Sequence, residues 1–184
     1  MVQNRPKFGK IAPEGGENFG DLGNRAKVVR TTVVQQGEEI DVDFLLQGCS
    51  NHGKNETQAL GNKLIEIAEF RKDAIAFLSP WRGCFLSASG DGESLQLKTD
   101  TVTDNLVNYF SPITSSSYAV LDSGYKYMYD RFNDKYRYVA CNGDVAGLCV
   151  NTSTTVADWI SPAGLARGGV RNVVKLAYNP NKAD

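Results

Sequence analysis

The stretch Asn55–Leu78, NETQALGNKLIEIAEFRKDAIAFL, changes its hydrophobic period part-way along. Leu60, Leu64, Ile67 and Ala68 recur at helical spacing, with Lys63, Glu66, Glu69 and Arg71 on the opposite side. That pattern predicts an amphipathic helix. Asn55 is a candidate N-cap, and Glu56 suits the positive end of the helix dipole. The helical pattern ends near Lys72 or Asp73. Ala74–Leu78 then forms an unbroken apolar run of strand length, closed by Ser79-Pro80. A strand that is apolar at every position is buried on both faces, as strands of a parallel sheet are. A helix leading directly into such a strand predicts an α/β layer.

Toward the C-terminus, Trp81–Lys98 is rich in Gly and Ser and reads as a long connection with one short strand at Leu95–Leu97. Asp100 or Thr101 can cap a second helix with Val102, Leu106, Val107 and Phe110 on its apolar face, ended by Pro112. Ser117–Leu121 is the next strand. Tyr125, Tyr127 and Tyr129 alternate with Lys126 and Met128, and Tyr136 and Tyr138 flank Arg137. Arg131-Phe132-Asn133-Asp134 between them is turn chemistry, so a hairpin is expected. Asn142-Gly143-Asp144 leads into a third helix with Val145, Leu148 and Cys149 inward, broken by Trp159–Gly164. A last strand is expected over Val170–Tyr178, offering Val173, Val174, Leu176 and Tyr178 for burial.

Toward the N-terminus, Val28–Val34 and Ile40–Leu46 read as a hairpin or strand pair around Gln35-Gln36-Gly37-Glu38-Glu39. Before them, Gly9, Gly15, Gly16, Gly20 and Gly23 make a stretch too costly in entropy to order alone. The expected fold is an α/β (α+β) mixture. A layered, largely parallel sheet carries helices, with an N-terminal β-rich piece and a tyrosine-rich β-hairpin added. The expected divisions are a flexible arm or loop over 1–27, a β-rich segment over 28–54, and an α/β body over 55–184.

Composition narrows the function classes. The 184 residues carry 20 basic and 21 acidic side chains, a net charge of -1, with 41% hydrophobic residues. This is a globular composition. Residues 1–99 hold 12 basic and 13 acidic side chains, and residues 100–184 hold 8 of each. No basic stripe of the kind that neutralises phosphates is visible, so no direct nucleic-acid partner is expected. No apolar run reaches the ~18–20 residues of a membrane span. Met1–Gly16 lacks the apolar core of a secretory signal, which points to cytosolic synthesis. The sequons at Asn55 and Asn151 would then stay unglycosylated.

The sequence matches no familiar catalytic pattern. No G-x-G-x-x-G joins a strand to a helix, since Gly164-Leu165-Ala166-Arg167-Gly168-Gly169 precedes a strand. Gly9-Lys10 and Gly53-Lys54 lack the Ser or Thr of a phosphate loop. No G-x-S-x-G elbow occurs, and the single imidazole, His52, lies in a polar loop. Cys49, Cys84, Cys141 and Cys149 show no metal spacing and read as free, mostly buried thiols. Asp41/Asp43 and Glu38/Glu39 read as a solvated hairpin face rather than a metal or acid–base pair. No catalytic residue, metal site or cofactor is therefore expected. The alternatives kept open are a small α/β hydrolase-like enzyme pairing His52 with Cys49, Cys84 or a serine, and a protein- or nucleic-acid-binding module presenting the tyrosine stripe.

Four motifs carry a resemblance. They are Ser116–Leu121, Tyr127-Met128-Tyr129-Asp130, Asn142-Gly143-Asp144-Val145-Ala146-Gly147-Leu148, and Trp159-Ile160-Ser161-Pro162-Ala163-Gly164. In this order the chain resembles the contractile tail sheath proteins of bacteriophages, most closely the T-even type over Trp159–Asn172. The likeness is good over 74–79 and 111–178 and weak elsewhere. It implies a viral structural protein of the virion tail, assembled in the host bacterial cytoplasm, without enzymatic activity or cofactor. Its implied partners are other sheath copies, the tail tube protein, and baseplate and tail terminator proteins. The helical lattice would contract by rigid-body rearrangement and drive the tube through the host envelope. Sheath proteins are longer than this chain, so the resemblance also implies a fragment lacking the C-terminal part, monomeric in solution.

Overall fold

A computed structural model of the protein describes residues 41–49, 53–88, 94–96 and 99–179. Three short strands, β1 (Phe44–Leu46), β2 (Ile75–Leu78) and β5 (Ala119–Leu121), form a parallel sheet in the order β1-β2-β5. Parallel neighbours need a crossover, and α1 (Lys54–Arg71) supplies it between β1 and β2. In the ladder Leu45 pairs with Ala76, and Ala76 with Ala119. Leu45, Ala76 and Leu78 share a core with Leu64, Ile65, Ile67 and Ala68 of α1. Phe44 and Phe77, on the other parity, meet edge to face at 5.2 Å. Ile40–Leu46 was expected to pair with Val28–Val34. Its Phe44–Leu46 part pairs in parallel with β2, and the expected partner Val28–Val34 and the glycine-rich arm lie outside the described residues.

The ends of α1 follow local chemistry. The N-cap is Gly53, not Asn55, and no side-chain oxygen caps it. Thr57 closes the first turn instead, its N–H and hydroxyl donating to the Gly53 carbonyl at 3.1 and 2.9 Å. At the other end Lys72 adopts φ 63°, a left-handed cap whose N–H reaches the Ala68 carbonyl at 2.8 Å. Arg71 grips Asp73 through two bonds of 2.8 Å, which fixes the turn into β2.

A second core lies beyond β2. It gathers Cys84, Phe85, Leu86, Val102, Leu106, Tyr109, Tyr125, Ala140 and Ala177. Within the expected connection, residues 81–88 and 94–96 carry more regular structure than their composition suggests. A 3₁₀ turn (Arg82–Cys84) leads into an antiparallel pair, β3 (Leu86–Ala88) and β4 (Ser94–Gln96), with Phe85 fully buried beside it. Helix α2 (Thr99–Phe110) buries Val102, Leu106 and Tyr109, whereas Val107 is 64% exposed. The inward stripe runs i, i+4, i+7, and Val107 sits about 100° round from Leu106. Gln58 Nε2 donates to the Tyr109 carbonyl at 2.7 Å, and Thr114 N–H donates to Asn62 Oδ1 at 2.9 Å, tying α1 to the end of α2.

The tyrosine hairpin forms as expected, from β6 (Tyr125–Asp130) and β7 (Lys135–Ala140). Asp130 builds the turn by accepting from the Phe132 N–H and from Asn133 Nδ2. A third strand, β8 (Lys175–Leu176), pairs antiparallel with β6. The expected strand 170–178 is thus cut to two residues. Asn172 at φ 56° breaks the extended run before it, Val174 and Leu176 are exposed, and Ala177 takes the buried position. Helix α3 (Asn142–Thr155) packs against β1 and β2. It buries Asn142, Ala146 and Thr152, while Val145, Leu148 and Cys149, expected inward, are only half-buried. It also ends before Trp159. Thr152, Thr154 and Thr155 turn their hydroxyls back onto the carbonyls of Leu148, Val150 and Asn151, which weakens the last turn. The α/β mixture is as the sequence predicts, with parallel pairing, among the described residues, in three strands.

Candidate functional site

In α/β folds ligands gather outside the carboxyl ends of parallel strands. Here those ends are closed by a polar knot. Gln47 follows β1, Ser79 follows β2, Asp122 follows β5, and Asn142 opens α3. The Ser79 hydroxyl donates to Asp122 Oδ2 at 2.5 Å and accepts from both the backbone N–H and the Nδ2 of Asn142 at 3.0 Å each. Asn142 Nδ2 also donates to the Gly48 carbonyl at 2.8 Å, and the Ser79 N–H donates to Gln47 Oε1 at 2.8 Å. Asp122 Oδ1 accepts from the Gly124 N–H at 2.9 Å. Burial pushes the Asp122 carboxyl up to about 6, against the lowering pull of the Ser79 and Gly124 donors; the nearby Asp144 charge raises it further.

This knot binds the chain to itself. Ser79 gives its proton to a carboxylate and receives two amide donors, which is not the arrangement of a nucleophile activated by an imidazole. His52 lies outside the described residues. All four cysteines are free. Burial pushes the Cys84 and Cys141 thiols up to about 11, so neither supplies a thiolate near neutral pH. Among the described residues no group of three His, Cys, Asp or Glu side chains could hold a metal. No described helix is long and apolar enough to cross a membrane.

The outward-facing features lie elsewhere. On the hairpin, Tyr127 contacts Tyr138 at 4.7 Å and stacks on Tyr136 at 5.3 Å, and Tyr129 contacts Tyr136 at 5.2 Å. Lys175 Nζ lies 5.1 Å from the centre of the Tyr127 ring and 5.8 Å from that of Tyr138. The same stripe begins in the core: Tyr125 is 1% exposed and its hydroxyl donates to the Pro80 carbonyl at 3.0 Å. It ends on the surface at Tyr129, Tyr136 and Phe132. On the other parity, Lys126 is only 5% exposed. Its Nζ pairs with Asp144 of α3 at 2.7 Å and donates to the Arg171 carbonyl at 3.2 Å. Alternation sets Lys126 on the side of the strand opposite the tyrosines; the packing of α3 and of residues near 171 over that side is a long-range event with no local signal.

A second surface follows α3. Trp159 is 85% exposed, and Val150, Val156 and Leu165 are exposed with it. Beside them a cleft of about 450 Å³ lies between α3 and the 166–171 segment, with Arg167 and Arg171 in its lining. Trp159 and Leu165 fall in the tract that carries the strongest sequence signature, yet neither is used to pack this body.

No protein-family model matches the chain. Comparison with curated proteins finds clear relatives. The tail sheath protein of Enterobacteria phage T4 is 31% identical over 191 residues, covering 93% of this chain and 28% of the relative. That of Vibrio phage KVP40 is 32% identical over 127 residues, covering 64% of this chain and 18% of the relative. That of Salmonella phage ViI is 28% identical over 172 residues, covering 93% of this chain and 24% of the relative. The chain therefore spans 18% to 28% of the length of these curated relatives.

Proposed function

We propose, for a chain that is a relative of the phage tail sheath proteins, that it forms a rigid body of a contractile sheath subunit and performs no chemistry. The observation that carries the reading is the relationship to the T4 protein along 93% of the chain. The geometry supports it. A lattice that rearranges by rigid-body motion needs bodies whose parts do not slide, with contacts placed on their outsides. The polar knot locks the carboxyl ends of three strands to α3. The buried Lys126–Asp144 pair locks the hairpin to the same helix. Aromatic and apolar side chains stand outside, on the hairpin and around Trp159.

In this reading the body contacts other sheath copies, which stack around the tail tube between a baseplate and a terminator. Contraction of the assembled lattice moves the tube through the host envelope. The protein is made and assembled in the host cytoplasm and resides in the virion tail. Heterologous contacts between identical bodies generate an open helical lattice rather than a closed dimer. The test is electron cryomicroscopy of extended and contracted tails built from the protein that contains this sequence. The three-stranded parallel sheet, α1, α3 and the hairpin should fit both densities as one unit. A fit that requires the hairpin to swing relative to the sheet, or density that does not accept the fold, overturns the reading.

A further inference from the structure

We propose that the cleft between α3 and the 166–171 segment receives the acidic segment Glu38–Asp43 of a second copy of this chain. The inference takes its source, a second copy, from the sheath reading above. The cleft is lined along α3 by Gly143, Asp144, Gly147, Leu148 and Asn151. Two glycines on that face leave the helix backbone open to an approaching chain; a Cβ at either would meet nothing within 4 Å. The opposite wall carries Arg167 and Arg171. The one acid of the lining, Asp144, is already paired with Lys126. Among the described residues neither guanidinium group meets a carboxylate: Arg167 donates to the Ser161 carbonyl at 2.8 Å, and neither arginine forms an ion pair. The site thus favours an extended segment that brings carboxylates, and arginine is suited to hold them through paired N–H donors.

The chain carries such a segment. Glu38-Glu39-Ile40-Asp41-Val42-Asp43 places four carboxylates within six residues, with two apolar side chains between them. Laid out as a strand, it puts Glu39, Asp41 and Asp43 on one side; Val42 packs against the core of its own molecule, so what the segment offers the cleft is its carboxylates. Asp41 and Asp43 are exposed and make no ion pair with Arg167 or Arg171 of their own molecule. They sit at the amino end of β1, while the Gly143 end of the cleft adjoins the carboxyl ends through Asn142 and Gly48. The exposed Asp41 and Asp43 and the cleft are different patches of the described body, so their union is head to tail and propagates.

The test uses a fluorescein-labelled peptide of residues 36–45 and reads anisotropy with the 184-residue protein. Expected is saturable binding that weakens about tenfold or more with Arg171→Glu, and further with Arg167→Glu added. Binding should also be lost when the peptide's four acids are replaced by amides, and should weaken with added salt. Circular dichroism checks each variant for folding, and a peptide with Lys in place of the acids should bind Arg171→Glu better than the parent protein. No saturable binding, unchanged affinity of a folded Arg171→Glu, or tighter binding of an unrelated polyanion such as heparin overturns the proposal. Such a result leaves the fit of the body to tail density untouched. A failed fit with intact peptide binding would instead remove the sheath reading and keep the cleft.

Discussion

Asp122 has both carboxylate oxygens occupied as acceptors, one by Ser79 and one by Gly124, in a site dry enough to hold its proton up to about pH 6. The folded state therefore binds that proton more tightly than the unfolded chain, whose ordinary value is 3.8. A raised folded value contributes stability that is fully present below the unfolded value and is lost as pH rises through the folded one. Urea midpoints should fall between pH 4 and 6.5 by on the order of 2 kcal/mol of stability, and Asp122→Asn should flatten that slope. A wild-type profile already flat in this range rejects the argument. Asn142 is the companion case. Asn142→Ala removes donors to the Ser79 hydroxyl and the Gly48 carbonyl inside a buried knot. It should cost about 1–3 kcal/mol in thermal or urea unfolding, while an exposed alanine control such as Asn151→Ala costs little. Residue chemistry of this kind was not legible beforehand. Ser79, Asp122 and Asn142 are 20 or more residues apart, and nothing local marks them as partners.

At the scale of elements, the positive φ of Lys72 ends α1 at the expense of a strained backbone. Lys72→Gly at this left-handed cap should raise stability by about 0.5–1 kcal/mol, read as a higher melting temperature. Lys72→Val should lower it. Elements with a strong period or strong turn chemistry were readable: α1 from its apolar spacing, β2 from its unbroken apolar run, and β6–β7 from alternating tyrosines around Asp130–Asp134. The failures have specific causes. Val107 was counted as core because it is apolar, but the stripe that faces the second core runs through Tyr109, an amphipathic residue whose ring is buried. Helix α3 has a weak apolar pattern, so small and polar residues, Ala146 and Thr152, take the inside, where β1 and β2 approach closely. The strand expected over 170–178 is shortened because Asn172, at φ 56°, interrupts the extended run before β8.

At the scale of the molecule, two cores share Ile113 as a common neighbour, and the unused apolar surface lies on the outside near Trp159 and Leu165. Trp159→Ala with Leu165→Ala should change folding stability by less than about 0.5 kcal/mol, since neither side chain packs in this body. The same pair should impair incorporation into sheath polymer, read by sedimentation and negative-stain microscopy of assembled tails. A large loss of stability would mean that these residues serve the fold instead. The signature tract was thus visible in the sequence as a likeness, and its exposure gives that likeness a physical meaning: a motif that does not pack its own body is available for a neighbour.

Sequence alone determined the class of the fold, the main helix and its strand, the tyrosine hairpin and the kinship to tail sheath proteins, because each is written in local period, turn chemistry or motif order. Tertiary structure alone decided that β1 lies in parallel beside β2, that Lys126 is buried against Asp144, that Tyr109 rather than Val107 enters the core, and that Ser79, Asp122 and Asn142 close the strand ends. These depend on which distant surfaces meet. Burial and hydrogen-bond satisfaction are settled by that meeting, and no short window of residues contains it.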